Sequence, residues 1–126
     1  MRTERPVFLS LLPTDFHWPV TAIASIVHRL TGVGLFIGLA FLLWLLDLAL
    51  SSEGGFVEAG RIMSLPMAKL AVLFILANLI YHMLAGVKHM LMDVHVGDSF
   101  EAASLSAWIV FTLSAIGVAA AGVWLW

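Results

Sequence analysis

Val33-Gly-Leu-Phe-Ile-Gly-Leu-Ala-Phe-Leu-Leu-Trp-Leu-Leu46 carries no polar side chain, and its reading decides the fold. Apolar character continues to about Pro19 on one side and Leu50 on the other. That length exceeds the ~20 residues that carry a helix across the hydrocarbon core of a bilayer. Two further runs are of the same kind, from about Pro66 to Met92 and from about Ala102 to Trp126. None of the three alternates in a strand pattern, and they are too few to close a barrel. Pro19 and Pro66 suit the first turn of a helix, where a missing N–H costs nothing. Ser51-Ser-Glu-Gly-Gly55 reads as a breaker between the first two spans. Val96-Gly-Asp-Ser99 makes the second turn, and Ser99 or Asp98 is placed to cap the helix that follows. The sequence therefore predicts an all-α membrane protein with helices over 19–50, 66–92 and 102–126. An N-terminal segment, 1–18, precedes them, and 1–126 reads as a single membrane-anchor domain without internal repeat.

Composition agrees. Of the 126 residues 62% are hydrophobic and 11% charged, with mean hydropathy +1.05; a soluble domain is nearer half apolar and a quarter charged. A formal net charge of −2 offers nothing to a nucleic acid. The absence of cysteine excludes disulfides, thiolate chemistry and iron–sulfur ligation within this chain. Met1 to Asp15 has two arginines and two prolines but no continuous apolar core, so it does not read as a cleaved signal peptide. Arg2, Arg5, Arg29 and Lys88 fall on the side shared by the N-terminus and the second turn, against Arg61 and Lys69 on the other. The bias of basic residues puts the N-terminus in the cytoplasm and Trp124 and Trp126 at the outer interface, with Trp44 near it.

Two polar clusters interrupt this pattern. Ionisable groups at membrane depth are rare and usually mark a pathway, a cofactor or a ligand. In the first cluster Ser25, Arg29 and Gly32 share one helix face with His28 on its flank. The arginine and histidine can hold anionic groups and the serine can hydrogen-bond a carbonyl; equally, Arg29 can snorkel to lipid phosphates with His28 resting at the interface. Gly34 and Gly38 form a small-xxx-small pair that permits close helix approach.

In the second cluster His82, Gly86, His89 and Asp93 recur at steps of four, three and four along one helix face. His82 lies deepest, roughly 15 Å from the end of its span at 1.5 Å per residue. An imidazole at that depth needs a partner. Haem iron is one, with Gly86 clearing room for a flat macrocycle and His28, Arg29 and His89 meeting its propionates. A serine or backbone carbonyl on a neighbouring helix is the other. Lys88 is a weaker propionate candidate, since it points about 120° away from the His82 face. Span three carries no ionisable residue from Ala102 onward and span one no histidine deeper than His28. A six-coordinate haem held by nitrogen would therefore need its second ligand from another subunit. Methionines 63, 67, 83, 90 and 92 lie on or near the helix of His82 and cannot face it across a ring.

Arg5-Pro6, Ser25-x-x-His28-Arg29-x-Thr31-Gly32 and His82-x-x-x-Gly86-x-Lys88-His89-x-x-x-Asp93 together resemble the cytochrome b556 subunits of succinate dehydrogenase, respiratory complex II. The resemblance covers nearly the whole chain. It implies three transmembrane helices forming half of a heterodimeric helix bundle, with one haem b shared between two anchor subunits. His82 would be the axial ligand to the haem iron from this chain, and the second hydrophobic anchor would supply the opposite one. Ser25 and Arg29 would line a ubiquinone site beside the iron–sulfur subunit, with a flavoprotein subunit completing the complex in the bacterial inner membrane. His28, Arg29 and His89 would be propionate contacts. Electrons would pass from succinate, through flavin and iron–sulfur clusters, to quinone; this chain would do none of the succinate chemistry. One departure stands out: the family usually has arginine where this chain has Lys88, which keeps the charge and loses the planar fork. Two other readings remain at this point, the anchor of a quinol:fumarate reductase and a small non-redox membrane scaffold. Asp47, in the apolar outer half of span one, has no function assigned to it here.

Overall fold

Two prolines set where the long helices begin. Pro19, in extended conformation, is followed directly by α1 (Val20–Ser51), and Pro66 opens α3 (Pro66–Asp93) at its first position. In this computed structural model residues 18–126 are described; the expectations attached to Arg2, Arg5, Pro6 and the N-terminal segment as far as residue 17 lie outside them. Between α1 and α3 runs a short helix, α2 (Glu53–Ser64), and α4 (Phe100–Leu125) completes the chain. No strand occurs among the described residues. The 32, 28 and 26 residues of α1, α3 and α4 give helices of roughly 40–50 Å at 1.5 Å per residue, longer than a ~30 Å hydrocarbon core. All three are apolar enough to cross a membrane, as the sequence predicts.

Helix α2 corrects the reading of Ser51–Gly55 as a plain breaker. Ser52 is fully extended (φ −170°, ψ 169°), which ends α1, and its hydroxyl then accepts from Gly55 N at 2.9 Å, which starts α2. Glu53 in the first turn and Arg61 in the last complement the helix dipole. Arg61 also grips Glu58 through two hydrogen bonds of 2.8 and 2.6 Å, holding that carboxyl below its ordinary range. Gly55 is required: a Cβ there would run into the Leu48 carbonyl and the Ser51 hydroxyl, because α2 doubles back on the end of α1.

Helix α3 packs against both α1 and α4. Small residues make the crossings close, with Ala24, Ala85 and Ala107 fully buried. Tyr81, Ala85 and Val110 form the centre, with Val27, Leu84 and Phe111 around them. The buried Tyr81 hydroxyl donates to the Ala24 carbonyl at 2.7 Å and ties α3 to α1. Gly34 and Gly38 lie against Asn78 and Ile75; a Cβ would stand 2.5 Å from Asn78 Oδ1 and 2.6 Å from Ile75 Cγ1 respectively. Asn78 turns its amide back to the Phe74 carbonyl at 2.7 Å. Lys69 rests over the Trp126 ring at 5.7 Å, joining the start of α3 to the end of α4. At the opposite end, His95 (φ 62°) and Gly97 (φ 69°) bend the chain, and Ser99 caps α4 by accepting from Ala102 N. The start of α1, the end of α3 and the start of α4 thus share one end of the bundle, where both polar clusters lie.

Candidate haem and quinone site

Across the α1–α3 contact three imidazoles form a stack. His28 of α1 lies between two histidines of α3, its ring 4.1 Å from that of His82 at 15° and 5.1 Å from that of His89 at 19°. The seven-residue step from His82 to His89 leaves two helical turns between them, the gap that His28 fills. Gly32 lets the His82 ring come close to α1, since a Cβ there would stand 3.2 Å from its Cε1. Gly86 faces the same stack: a Cβ would meet His28 Nε2 at 3.5 Å, an ordinary contact.

Hydrogen bonding settles which nitrogens are committed. His82 Nδ1 is 3.1 Å from the His28 carbonyl oxygen and 3.2 Å from Thr31 Oγ1. The carbonyl can only accept, so Nδ1 carries the proton. The buried Thr31 hydroxyl donates to that same carbonyl at 2.8 Å and therefore receives from Nδ1. His82 Nε2 is left with its lone pair and no hydrogen-bond partner among the described residues. His89 is fixed in the same sense, Nδ1 donating to the Ala85 carbonyl at 2.7 Å. The rings lie face to face rather than converging, and among the described residues no group of three His, Asp or Glu side chains can enclose an ion. This donor set fits an axial ligand to a group whose other ligands come from elsewhere, the fit expected of half a haem site.

Ser25 and Arg29 sit beside His28 on the outward side of α1. Ser25 is half-buried, Arg29 is exposed, and neither has a hydrogen-bond partner among the described residues. The cluster therefore opens at the flank of the bundle, with a hydroxyl and a guanidinium at its rim. Asp93 and Asp47 are exposed and join nothing at the site. Lys88 is turned the other way: it is buried between α3 and α4 with Nζ 3.1 Å from Met92 Sδ. Sequence reasoning named Thr31 without giving it a task. Its spacing was the available signal, three residues after His28 and so one turn along α1, near the face that carries Ala24 and Gly34 toward α3.

Residues 1–121 match the family described as succinate dehydrogenase/fumarate reductase transmembrane subunit. The chain belongs to this family. It is 37% identical to the succinate dehydrogenase cytochrome b556 subunit of Coxiella burnetii over the full length of both chains. It is 32% identical to the subunit of that name from Paracoccus denitrificans, over 73% of this chain and 71% of the relative. The Rickettsia felis subunit is 27% identical over 75% and 73%. The motif resemblance is thereby borne out over the whole chain. Membership of a succinate dehydrogenase/fumarate reductase transmembrane family accounts for three apolar helices that leave Leu30, Phe36, Ile37 and Leu43 of α1 more than half exposed.

Proposed function

We propose that this chain is the haem b-binding membrane anchor of a succinate:ubiquinone oxidoreductase. The observation that carries the reading is His82, whose Nδ1 is bound to the His28 carbonyl and Thr31 so that Nε2 is free to ligate. His82 would hold the haem iron from this side, and a histidine of a second hydrophobic anchor would hold it from the other. His28, Arg29 and His89 are the candidates for the propionates. When bound, haem b supplies a reversible one-electron centre. An arginine at the rim would also bind and orient quinone: the Ser25 hydroxyl donates to one quinone oxygen, and the Arg29 cation steadies the negative charge that develops as that oxygen is reduced. The flank on which they lie would face the iron–sulfur subunit, with the flavoprotein subunit beyond it, in a bacterial inner membrane with the N-terminus cytoplasmic. The excess of basic residues on that side of the sequence, Arg2, Arg5, Arg29 and Lys88 against Arg61 and Lys69, supports the orientation. The family description also covers fumarate reductase, so a quinol-oxidising complex is the second reading.

Purification through a tag on this chain tests the proposal. The expected product contains a soluble flavoprotein and an iron–sulfur subunit, one b-type haem per chain, and succinate-dependent ubiquinone reduction. A preparation without haem and without that activity would overturn it.

A further inference from the structure

Lys88 is a buried cation near the end of α3 that the proposed haem and quinone site does not use. Its side chain is only 7% exposed, and its ammonium donates to the Met92 thioether at 3.1 Å. A thioether is a weak acceptor, and an ammonium has three donors. Among the described residues the arginine or lysine that pairs with a carboxylate is Arg61, with Glu58, so no carboxylate partners the Lys88 ammonium. A buried ammonium without a carboxylate partner is unfavourable, and an anion brought to it would offset that cost.

The surroundings say which kind of anion. Lys88 lines a groove of about 200 Å³ between α3 and α4, bordered by Leu91, Ile109 and Val110 and, at the turn, by Gly97. Lys88 lies five residues before the end of α3, roughly 7.5 Å along the axis. Its arm runs toward Met92, one turn nearer that end, which brings the ammonium close to the end of the α3 span, where lipid phosphates are expected. Below it the groove is apolar and open, with Leu91 46% and Ile109 48% exposed. A free inorganic anion or a carboxylate would match the ammonium and leave that apolar wall bare. An amphiphile with an anionic head satisfies both.

We propose that the groove between α3 and α4 binds an anionic phospholipid, its phosphate on Lys88 Nζ and an acyl chain along Leu91 and Ile109. The site is separate from the imidazole stack and stands whether or not haem is bound there. The test uses the full chain, with whatever subunits accompany it, washed free of lipid in detergent and titrated with dioleoyl-phosphatidylglycerol. Bound lipid is counted by native mass spectrometry. The wild type retains one phosphatidylglycerol in preference to dioleoyl-phosphatidylcholine, and inorganic phosphate does not displace it. Lys88→Met, close in size and apolar, weakens retention at least about fivefold, the ratio expected for one lysine near an anionic lipid surface. Lys88→Arg retains the lipid, and so does Lys69→Met at the other end of α3; circular dichroism checks that each variant keeps its helices. Equal retention by Lys88→Met would overturn the proposal, as would equal loss in Lys69→Met. Displacement by phosphate would make this a free-anion site. Loss of a co-purifying subunit in Lys88→Met would make the groove a protein interface.

Discussion

At His82 both oxygens within reach face Nδ1, and this decides what the other nitrogen can do. Removing the hydroxyl in Thr31→Val leaves the His28 carbonyl as the sole acceptor and frees the ring to rotate. Loss of such a supporting hydrogen bond typically weakens metal binding 10–100-fold. Haem per chain in Thr31→Val, measured by haemochrome assay under limiting haem, should therefore fall about tenfold, while Thr31→Ser holds the wild-type value. Full haem content in Thr31→Val would remove Thr31 from the site. On the rim of the cluster, Ser25→Ala should raise KM for ubiquinone roughly fivefold, the worth of one hydrogen bond. Arg29→Leu should lower kcat about a hundredfold, as expected when a fixed charge beside a developing oxyanion is lost. Reduction of a soluble dye by succinate, which bypasses the quinone, should be unchanged in both. The residues were legible in the sequence because histidine and arginine are conspicuous inside apolar spans. The supporting bonds were not, because a threonine and a backbone carbonyl are unremarkable until two helices are placed side by side.

At the scale of the elements, glycine sets how closely α1 meets α3. At Gly38 an added Cβ would sit 2.6 Å from Ile75, inside a contact that no flexible chain end relieves. Gly38→Val should destabilise the detergent-solubilised protein by about 1–3 kcal/mol, the usual effect of overpacking, seen as a lower midpoint in thermal unfolding followed by circular dichroism. Gly60→Val is the control, since nothing lies within 4 Å of a Cβ there. An unshifted midpoint in Gly38→Val would mean that the α1–α3 contact is looser than described. The three long helices were legible from apolar length and from the prolines. The small-xxx-small spacing pointed to a contact without saying which helix would be met. Helix α2 was missed because Gly54 and Gly55 read as breakers. Its signs were local and present: Ser52 as cap, Glu53 in the first turn, and a Glu58–Arg61 pair three residues apart.

The molecule as a whole has three helices long enough to cross a membrane and, among the described residues, three stacked imidazoles at one end of the bundle. No large side chain among the described residues is fully buried, so most apolar surface is left for lipid or for other chains. The imidazole stack leaves Nε2 of both His82 and His89 without a hydrogen-bond partner among the described residues, His82 lying the deeper, and Ser25 and Arg29 beside it open at the bundle flank. Under the proposed function the His82 nitrogen and that flank would both meet a partner subunit, and this is why a single sequence could suggest half of a site and no more. The reading stands or falls on His82 being the ligand rather than a neighbour of the stack. The decisive measurement is a reduced-minus-oxidised visible spectrum of the purified complex, with the wild type beside His82→Ala and His89→Ala. The account predicts b-type bands that are lost or shifted in His82→Ala and retained in His89→Ala. Bands unaltered in His82→Ala would contradict it.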